Sequence, residues 1–303
     1  MNNAEILALA LVLDAVFGEP RWVWDRLPHP AVQMGRLIGW ADRQFNRGGQ
    51  RQAWGAAMIA LLTASAAGLG WGLSSLPWPL ETLLVAILLA QRSLCDHVDN
   101  VAGALAVSLQ AGREAVGRIV GRDTATLDTP GTARAAIESA AENLSDGIVA
   151  PALFYLVLGL PGLLAYKLVN TADSMVGYRT ERHAAFGWAS ARLDDLLNLA
   201  PARLSALLIL ATHGRPQDFA RLKGDAALHR SPNAGWPEAA MARVLDVALS
   251  GPRVYHGTPT TDPFVNETGR RDIGQREIRA AVATLWRVWA ALLALSILAA
   301  TVN

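Results

Sequence analysis

Cys95 is the one cysteine of this chain, which excludes a disulfide framework and a cysteine-built metal centre. Lysine is almost missing as well, occurring only at Lys167 and Lys223, so nearly all positive charge is arginine. Arginine grips carboxylates and phosphates through paired hydrogen bonds, although an arginine-rich codon bias produces the same composition. Charge of either sign is scarce, at 17% of 303 residues, where soluble domains carry about 25%. No Walker-type glycine loop and no GxGxxG after a strand is present, so a bound nucleotide would need a non-standard pocket. A formal net charge of +1 leaves no positive excess for general nucleic-acid binding. The start, MNNAEILALALVLDAVFGEP, has Glu5 where a signal peptide has basic residues, which predicts a retained first helix.

Hydrocarbon dominates what is there. The chain is 52% hydrophobic, with a mean hydropathy of +0.24. Ala53 to Leu80 carries no charge, enough helix to cross a core of about 30 Å. The pattern predicts an all-α, polytopic integral membrane protein with large cytoplasmic helical loops, one functional unit over residues 1–303. Candidate membrane segments fall near 4–17, 53–76, 78–94, 147–168, 196–213 and 280–302. The first is short and interrupted by Asp14, so it is expected to be tilted or half-inserted. In the fourth, Gly159-Leu160-Pro161-Gly162 breaks the apolar run. A broken through-going helix would carry Lys167, Arg179, Arg182 and Arg192 to the far side, whereas a re-entrant hairpin keeps both polar flanks together. The arginine count favours the hairpin. Gly18 to Gln52 holds six arginines against three acids, which places it on the cytoplasmic side of the inner (plasma) membrane.

Between these segments, Cys95 to Arg122 is polar with a helical stripe of Val98, Val101, Leu105 and Leu109. Asp128-Thr129-Pro130 reads as a helix start, and Gly147 closes or bends that helix. Gly214 to Ile278 is soluble in character, with an amphipathic piece near Trp236 to Leu249.

Polar residues gather at the edges of the apolar segment Gly147 to Tyr166. Glu138, Glu142 and Asp146 recur every fourth residue, one face of a helix, with Ser139, Asn143 and Ser145 beside them. Like charges so spaced need a metal ion, an arginine or shared protons to offset them. Oxygen-only ligands suit Mg²⁺; a solvated acidic face is the plainer alternative. Downstream, Lys167, Asn170, Asp173, Ser174 and Gly177 precede Tyr178, Arg179 and Arg182, and Asn170, Asp173 and Gly177 share a stripe. Arg192, Asp194, Asp195, Asn198 and Arg203 follow, with Asp195 and Asn198 sharing a face at spacing three. Helix capping and salt bridging would explain one such cluster; three in about 70 residues favour a composite site. His29, between Pro28 and Pro30, and Arg36 sit in what reads as an irregular segment able to grip a polar ligand, or serving structure alone.

These motifs resemble the cobalamin-biosynthesis CobD/CbiB family, the adenosylcobinamide-phosphate synthases. The resemblance rests on LDAVFGEP near the start, HPAVQMGRLI at 29–38 and GRDTATLDTPGTARAAIESAAENLSDGIVAP. It continues through YKLVNTADSMVGYRTERHAAFGWASARLDDLLNLAPARLSA and SPNAGWPEAAMA at 231–242, nearly the whole chain in order. It implies an integral membrane ligase of the late vitamin B12 pathway, dependent on ATP. Such an enzyme joins (R)-1-amino-2-propanol or its phosphate to the ring D propionate of (adenosyl)cobyric acid, giving (adenosyl)cobinamide or its phosphate. The expected partners are that corrinoid, the amine, the lipid bilayer and other late-pathway membrane enzymes, with no nucleic acid.

Amide formation from a free carboxylate needs activation, most simply as an acyl phosphate formed with ATP and Mg²⁺. On chemical grounds Glu142, Asp146 and Asp173 are the catalytic candidates, with Asp173 a second metal ligand or the amine base. Glu138, Glu142, Asp146, Asp194 and Asp195 are the candidate Mg²⁺ ligands, the last two alternatively orienting arginines. Lys167, Asn170, Ser174, Tyr178, Arg179, Arg182, Arg192, His29 and Arg36 are the candidate substrate and phosphate contacts. Two other classes compete: a transporter, against which stands the absence of inverted repeats, and a non-catalytic membrane signalling protein of the AmpE type.

Overall fold

The computed structural model describes residues 1–121, 123–255 and 258–302; Arg122, the last residue of the polar helical stretch, lies outside them. In chain order the helices are α1 (Asn3–Phe17), α2 (Arg21–Trp24), α3 (Pro30–Phe45), α4 (Arg51–Leu73), α5 (Trp78–Leu88), α6 (Gln91–Val107) and α7 (Leu109–Val116). There follow α8 (Thr129–Leu144), α9 (Ala150–Val176), α10 (Trp188–Leu197), α11 (Leu199–Ala211), α12 (Leu222–Ala226), α13 (Gly235–Leu245) and α14 (Gln275–Val302). Two small antiparallel ribbons interrupt the helices: β1 (Leu249–Ser250) pairs with β4 (Phe264–Val265), and β2 (Arg253–Tyr255) with β3 (Thr258–Thr260). Among the described residues, Arg51–Leu73, Trp78–Val107, Thr129–Val176 and Gln275–Val302 are long and apolar enough to cross a bilayer. The protein is thus an all-α membrane protein. The apolar α11 has 13 residues, short of the roughly 20 that a crossing needs.

The chain forms two interleaved compact units. The first comprises Met1–Ala90, Ala150–Asn198 and Leu293–Asn303. Its centre is α9, where Gly159 adopts φ 65° and ψ −156°. Twelve residues of straight helix would separate two side chains by about 18 Å, yet the rings of Phe154 and Tyr166 stack at 4.9 Å. The carbonyl of Phe154 also lies where a Cβ on Gly162 would stand. The chain therefore folds back at Gly159, and α9 is two arms lying side by side. Pro161 has no N–H to return to the helix, so carbonyls before it lose their usual partners. The Asn3 side chain donates to two carbonyls of this turn, Tyr155 at 3.3 Å and Leu156 at 3.4 Å. That cap matters where no water can replace it.

Glycines let α4 lie against α9 and the loop beyond it. A Cβ on Gly70 would overlap the backbone of Leu160 and Pro161, and one on Gly55 the carbonyl of Phe186. Close backbone approach at small residues is a common way to bind helices in lipid. Met58 and Ile59 of α4 join Ile38, Val169, Ala172, Val176 and Phe186 in one buried cluster. Pro30 opens α3 and His29 caps it, its side chain accepting from the Ala31 N–H. Arg36 therefore lies on a regular helix and not in the irregular segment expected from the prolines.

The second unit comprises Gln91–Val149 and Leu199–Leu292. Asp128 caps α8 by accepting from the Gly131 N–H at 2.7 Å, as its position before Thr129-Pro130 suggests. Gly147 does not close this helix; Ser145–Val149 widens into a π turn around it. The polar stretch after Cys95 is two helices, because Ser108 breaks it and caps α7. The piece near Trp236, expected to be amphipathic, is instead a core helix, with Ala239, Ala240, Met241 and Ala242 all fully buried. Alanine side chains are small enough to pack on every side without an apolar stripe.

Gly70→Ala should destabilise the protein by about 1–3 kcal/mol, since a methyl cannot fit without backbone movement. Gly68→Ala, on the open face of α4 with nothing within 4 Å of its Cβ, should be neutral or slightly stabilising through helix propensity. Thermal unfolding of the two variants in the same detergent measures the difference; equal melting temperatures would contradict the close packing.

Candidate functional site

The first unit carries most of the expected polar residues. Four of its side chains form a continuous chain of hydrogen bonds. Tyr166, fully buried on the second arm of α9, donates to Asn198 Oδ1 at 2.9 Å. Asn198 donates through Nδ2 to Asp194 Oδ2 at 3.0 Å, and Asn170 donates to Asp194 Oδ1 at 3.3 Å. Asn198 thus faces Asp194, four residues before it, and not Asp195 as a spacing of three suggested. Burial pushes the Asp194 carboxyl above the usual carboxylate range; the two amides oppose that shift, and the neighbouring charge of Asp195 adds to it. Burial also raises Asp195, against the pull of Arg192 and Arg179. The Arg192 guanidinium lies 3.6 Å from Asp195 with most of its side chain exposed. Arg179 and Tyr178 are exposed on the loop after α9. Two arginines thus lie around the Asp195 carboxylate.

Several expected contacts have other work. The two ring nitrogens of His29 are both engaged, Nδ1 accepting from Ala31 and Nε2 donating to the Ile87 carbonyl at 3.1 Å. His29 therefore joins the start of α3 to the end of α5 and is not placed to grip a ligand. Arg182 is ion-paired with Asp42 at 2.6 Å, so its guanidinium anchors a loop. Ser174 spends its hydroxyl proton on the Asn170 carbonyl, a bond internal to the helix. Arg36 is exposed on α3, and Lys167 is half-buried on α9. Asp173 packs its carboxylate against Gly177, where a Cβ would collide with it; the small residue admits that side chain.

In the second unit the three acids spaced by four occupy unlike surroundings. Glu138 is buried and accepts from the Ser250 N–H at 2.7 Å. Glu142 is exposed, and Asp146 is half-buried within the π turn, which breaks the four-residue register. Ser139 donates to the Ile119 carbonyl at 2.7 Å, and Asn143 donates back to the Ser139 carbonyl at 2.9 Å. Among the described residues no group of three or more His, Cys, Asp or Glu side chains could hold a metal ion.

Sequence reasoning missed Tyr166, Asp42 and Asn46. Tyr166 reads as the last residue of an apolar run, and only its hydroxyl beneath a downstream asparagine reveals its part. Asp42 and Asn46 carried one usable signal, an acid and an amide one helical turn apart.

A family model described as "CobD/Cbib protein" matches residues 7–285. The chain is 50% identical over 309 residues to "Cobalamin biosynthesis protein CobD" of Sinorhizobium fredii, covering 96% of this chain and 95% of that protein. It is 46% identical over 317 residues to the protein of that name in Brucella suis biovar 1, covering 98% and 97%. To the one in Rhodobacter capsulatus it is 46% identical over 278 residues, covering 88% of each. No solved structure matches the chain.

Asp194 holds its proton longer in the folded protein than in the unfolded chain, because its folded value is the higher. Its contribution to stability is full below the ordinary carboxylate value and is lost as pH rises through the raised one. Asp194→Asn cannot reproduce both acceptor bonds, since Asn198 is held by Tyr166, so the variant should melt lower in acid. The gap in Tm from wild type should then narrow as pH rises; a gap that is constant or widens would contradict the raised carboxyl.

Proposed function

This chain belongs to the CobD/CbiB family of cobalamin-biosynthesis proteins, and on that footing we propose that it is an ATP-dependent amide ligase. Its substrates are the ring D propionate carboxylate of (adenosyl)cobyric acid and (R)-1-amino-2-propanol or its phosphate. The product is (adenosyl)cobinamide or its phosphate. One observation of the molecule carries the reading furthest: a buried acid–amide chain lies beside the exposed Arg192 and Arg179.

A carboxylate is a poor electrophile. Its oxygen attacks the γ-phosphorus of ATP, ADP leaves, and an acyl phosphate forms. The amine nitrogen then attacks the acyl carbon, the C–O bond to phosphate breaks, and inorganic phosphate departs. The amine proton passes to a base, the role assigned to the half-buried Asp173. Arg179 and Arg192 take up phosphate charge, which their forked donors fit, and Lys167 adds a third cation. Asp194, with Asn170 and Asn198, holds α9 and α10 in the register that places Arg192 and Asp195. Glu142 and Asp146, which belong to the second unit, would hold the Mg²⁺ that accompanies ATP, and that ion would supply neutralisation of phosphate charge. The six arginines of the 18–52 segment support an inner-membrane location with polar loops on the cytoplasmic side.

Membranes containing the protein should convert cobyric acid to cobinamide when amine, ATP and Mg²⁺ are all supplied, and lose that activity when either ATP or Mg²⁺ is omitted. Absence of ATP consumption dependent on the corrinoid and the amine would instead fit an ion-coupled transporter. Asp173→Asn and Glu142→Gln should each lower turnover at least about 100-fold, the scale of a lost acid–base or charge-stabilising group, while leaving expression and melting temperature unchanged.

A further inference from the structure

The loop joining α9 to α10 is closed at its neck and tied to a third helix. Gly187 lies so close to Val176 that a Cβ there would overlap the Val176 carbonyl. Just inside the neck, Phe186 is fully buried beneath Gly55 of α4. The loop is then caught at its middle by α3. Asp42, 8% exposed on α3, accepts from Arg182 Nη2 at 2.6 Å and from Asn46 Nδ2 at 2.8 Å. Asn46 also donates to the backbone carbonyl of Arg182 at 3.0 Å. One residue of the loop is therefore held by both its side chain and its main chain. His183 adds its Nε2 at 3.5 Å from the other Asp42 oxygen. Burial would raise the Asp42 carboxyl, but the bonds from Asn46 and Arg182 and the charges of Arg182 and His183 outweigh it, so the carboxylate stays ionised below the usual range.

From this arrangement we infer that Asp42 and Asn46 are positioning residues: through Arg182 they hold the 177–187 loop so that Arg179 presents its guanidinium to an anionic, phosphate-bearing substrate. Neither touches that substrate. A surface loop of eleven residues explores many conformations, and a guanidinium that must be ordered on binding contributes less affinity than one already in place. The inference rests on the phosphate-handling role given to Arg179 above. It adds the reason why Arg182, three residues later, is bound inward while Arg179 faces out.

The test uses the full-length protein in membranes, with Asp42→Asn, Arg182→Gln, Arg182→Lys and the double variant D42N/R182Q. Chymotryptic cleavage after the exposed Tyr178, a bond that none of these variants removes, is followed on the folded protein and reports loop holding without any turnover. Cobinamide formation reports KM for MgATP and kcat. D42N and R182Q should each speed cleavage and raise KM about tenfold, equivalent to roughly 1.4 kcal/mol, with kcat within a factor of about three. The double variant should match either single one, because both remove one contact, and R182K should recover part of the effect. Faster cleavage with an unchanged KM would make the latch merely structural and overturn the inference. So would additive effects, or no change in either measurement. A wild-type protein with no cobinamide activity would overturn the functional reading, and this inference with it. Should D42N fail to accumulate, the Arg182 variants carry the same comparison, since that side chain is 60% exposed.

Discussion

Hydrocarbon cannot hydrogen-bond a peptide group, and the first unit is built around that constraint. Wherever its backbone leaves helical geometry, something within the protein must supply the missing partner. The fold-back at Gly159 needs a residue tolerant of positive φ, and a donor for the carbonyls that lose theirs. Asn3 is that donor, brought by the first turn of α1. Leu89 ends α5 in extended geometry, and there His29 reaches across to the Ile87 carbonyl. Both devices use polar side chains from the N-terminal quarter to mend breaks made elsewhere. They explain why a chain so poor in polar residues keeps an asparagine and a histidine at these positions.

The same economy governs the charged groups. Asp194 and Asp42 are both largely shielded from solvent, yet they respond in opposite directions. Asp194 meets neutral amides and a like charge, so burial prevails and its carboxyl rises. Asp42 meets an arginine and a histidine as well as an amide, so its carboxyl falls. Burial sets the penalty in both cases; the charge of the neighbours decides the sign. The carboxyl that takes up its proton more readily sits among neutral amides, and the one that stays an anion anchors an arginine.

Features carried by neighbouring residues were legible in the sequence. The charge-free run from Ala53, the helix start at Asp128 and the interruption at Gly159 to Gly162 each follow from local composition or backbone preference. What escaped notice depends on residues far apart in the chain. Asp42 and Arg182 are separated by 140 positions, and no spacing rule links them; Arg182 therefore read as one more phosphate ligand. His29 read as a ligand because nothing in Pro-His-Pro shows that the carbonyl of Ile87 will lie against its ring. The π turn at Ser145–Val149 was hidden because Glu138, Glu142 and Asp146 keep a perfect four-residue spacing on paper, which an extra residue in the turn then spoils. Alanine-rich α13 lacked an apolar stripe to mark it as core.

The interleaving of the first unit has a bearing on biosynthesis. Its opening segment, Met1–Ala90, emerges before the Ala150–Asn198 segment against which it packs. Between the end of α4 and the end of α9 about 100 residues must be translated, which takes on the order of 5–20 seconds at typical elongation rates. Throughout that interval the glycine groove of α4 faces lipid or the insertion machinery, with its partner not yet made. The nascent chain must therefore wait half-assembled, and its quality control depends on how well the surrounding bilayer tolerates an open groove until α9 arrives.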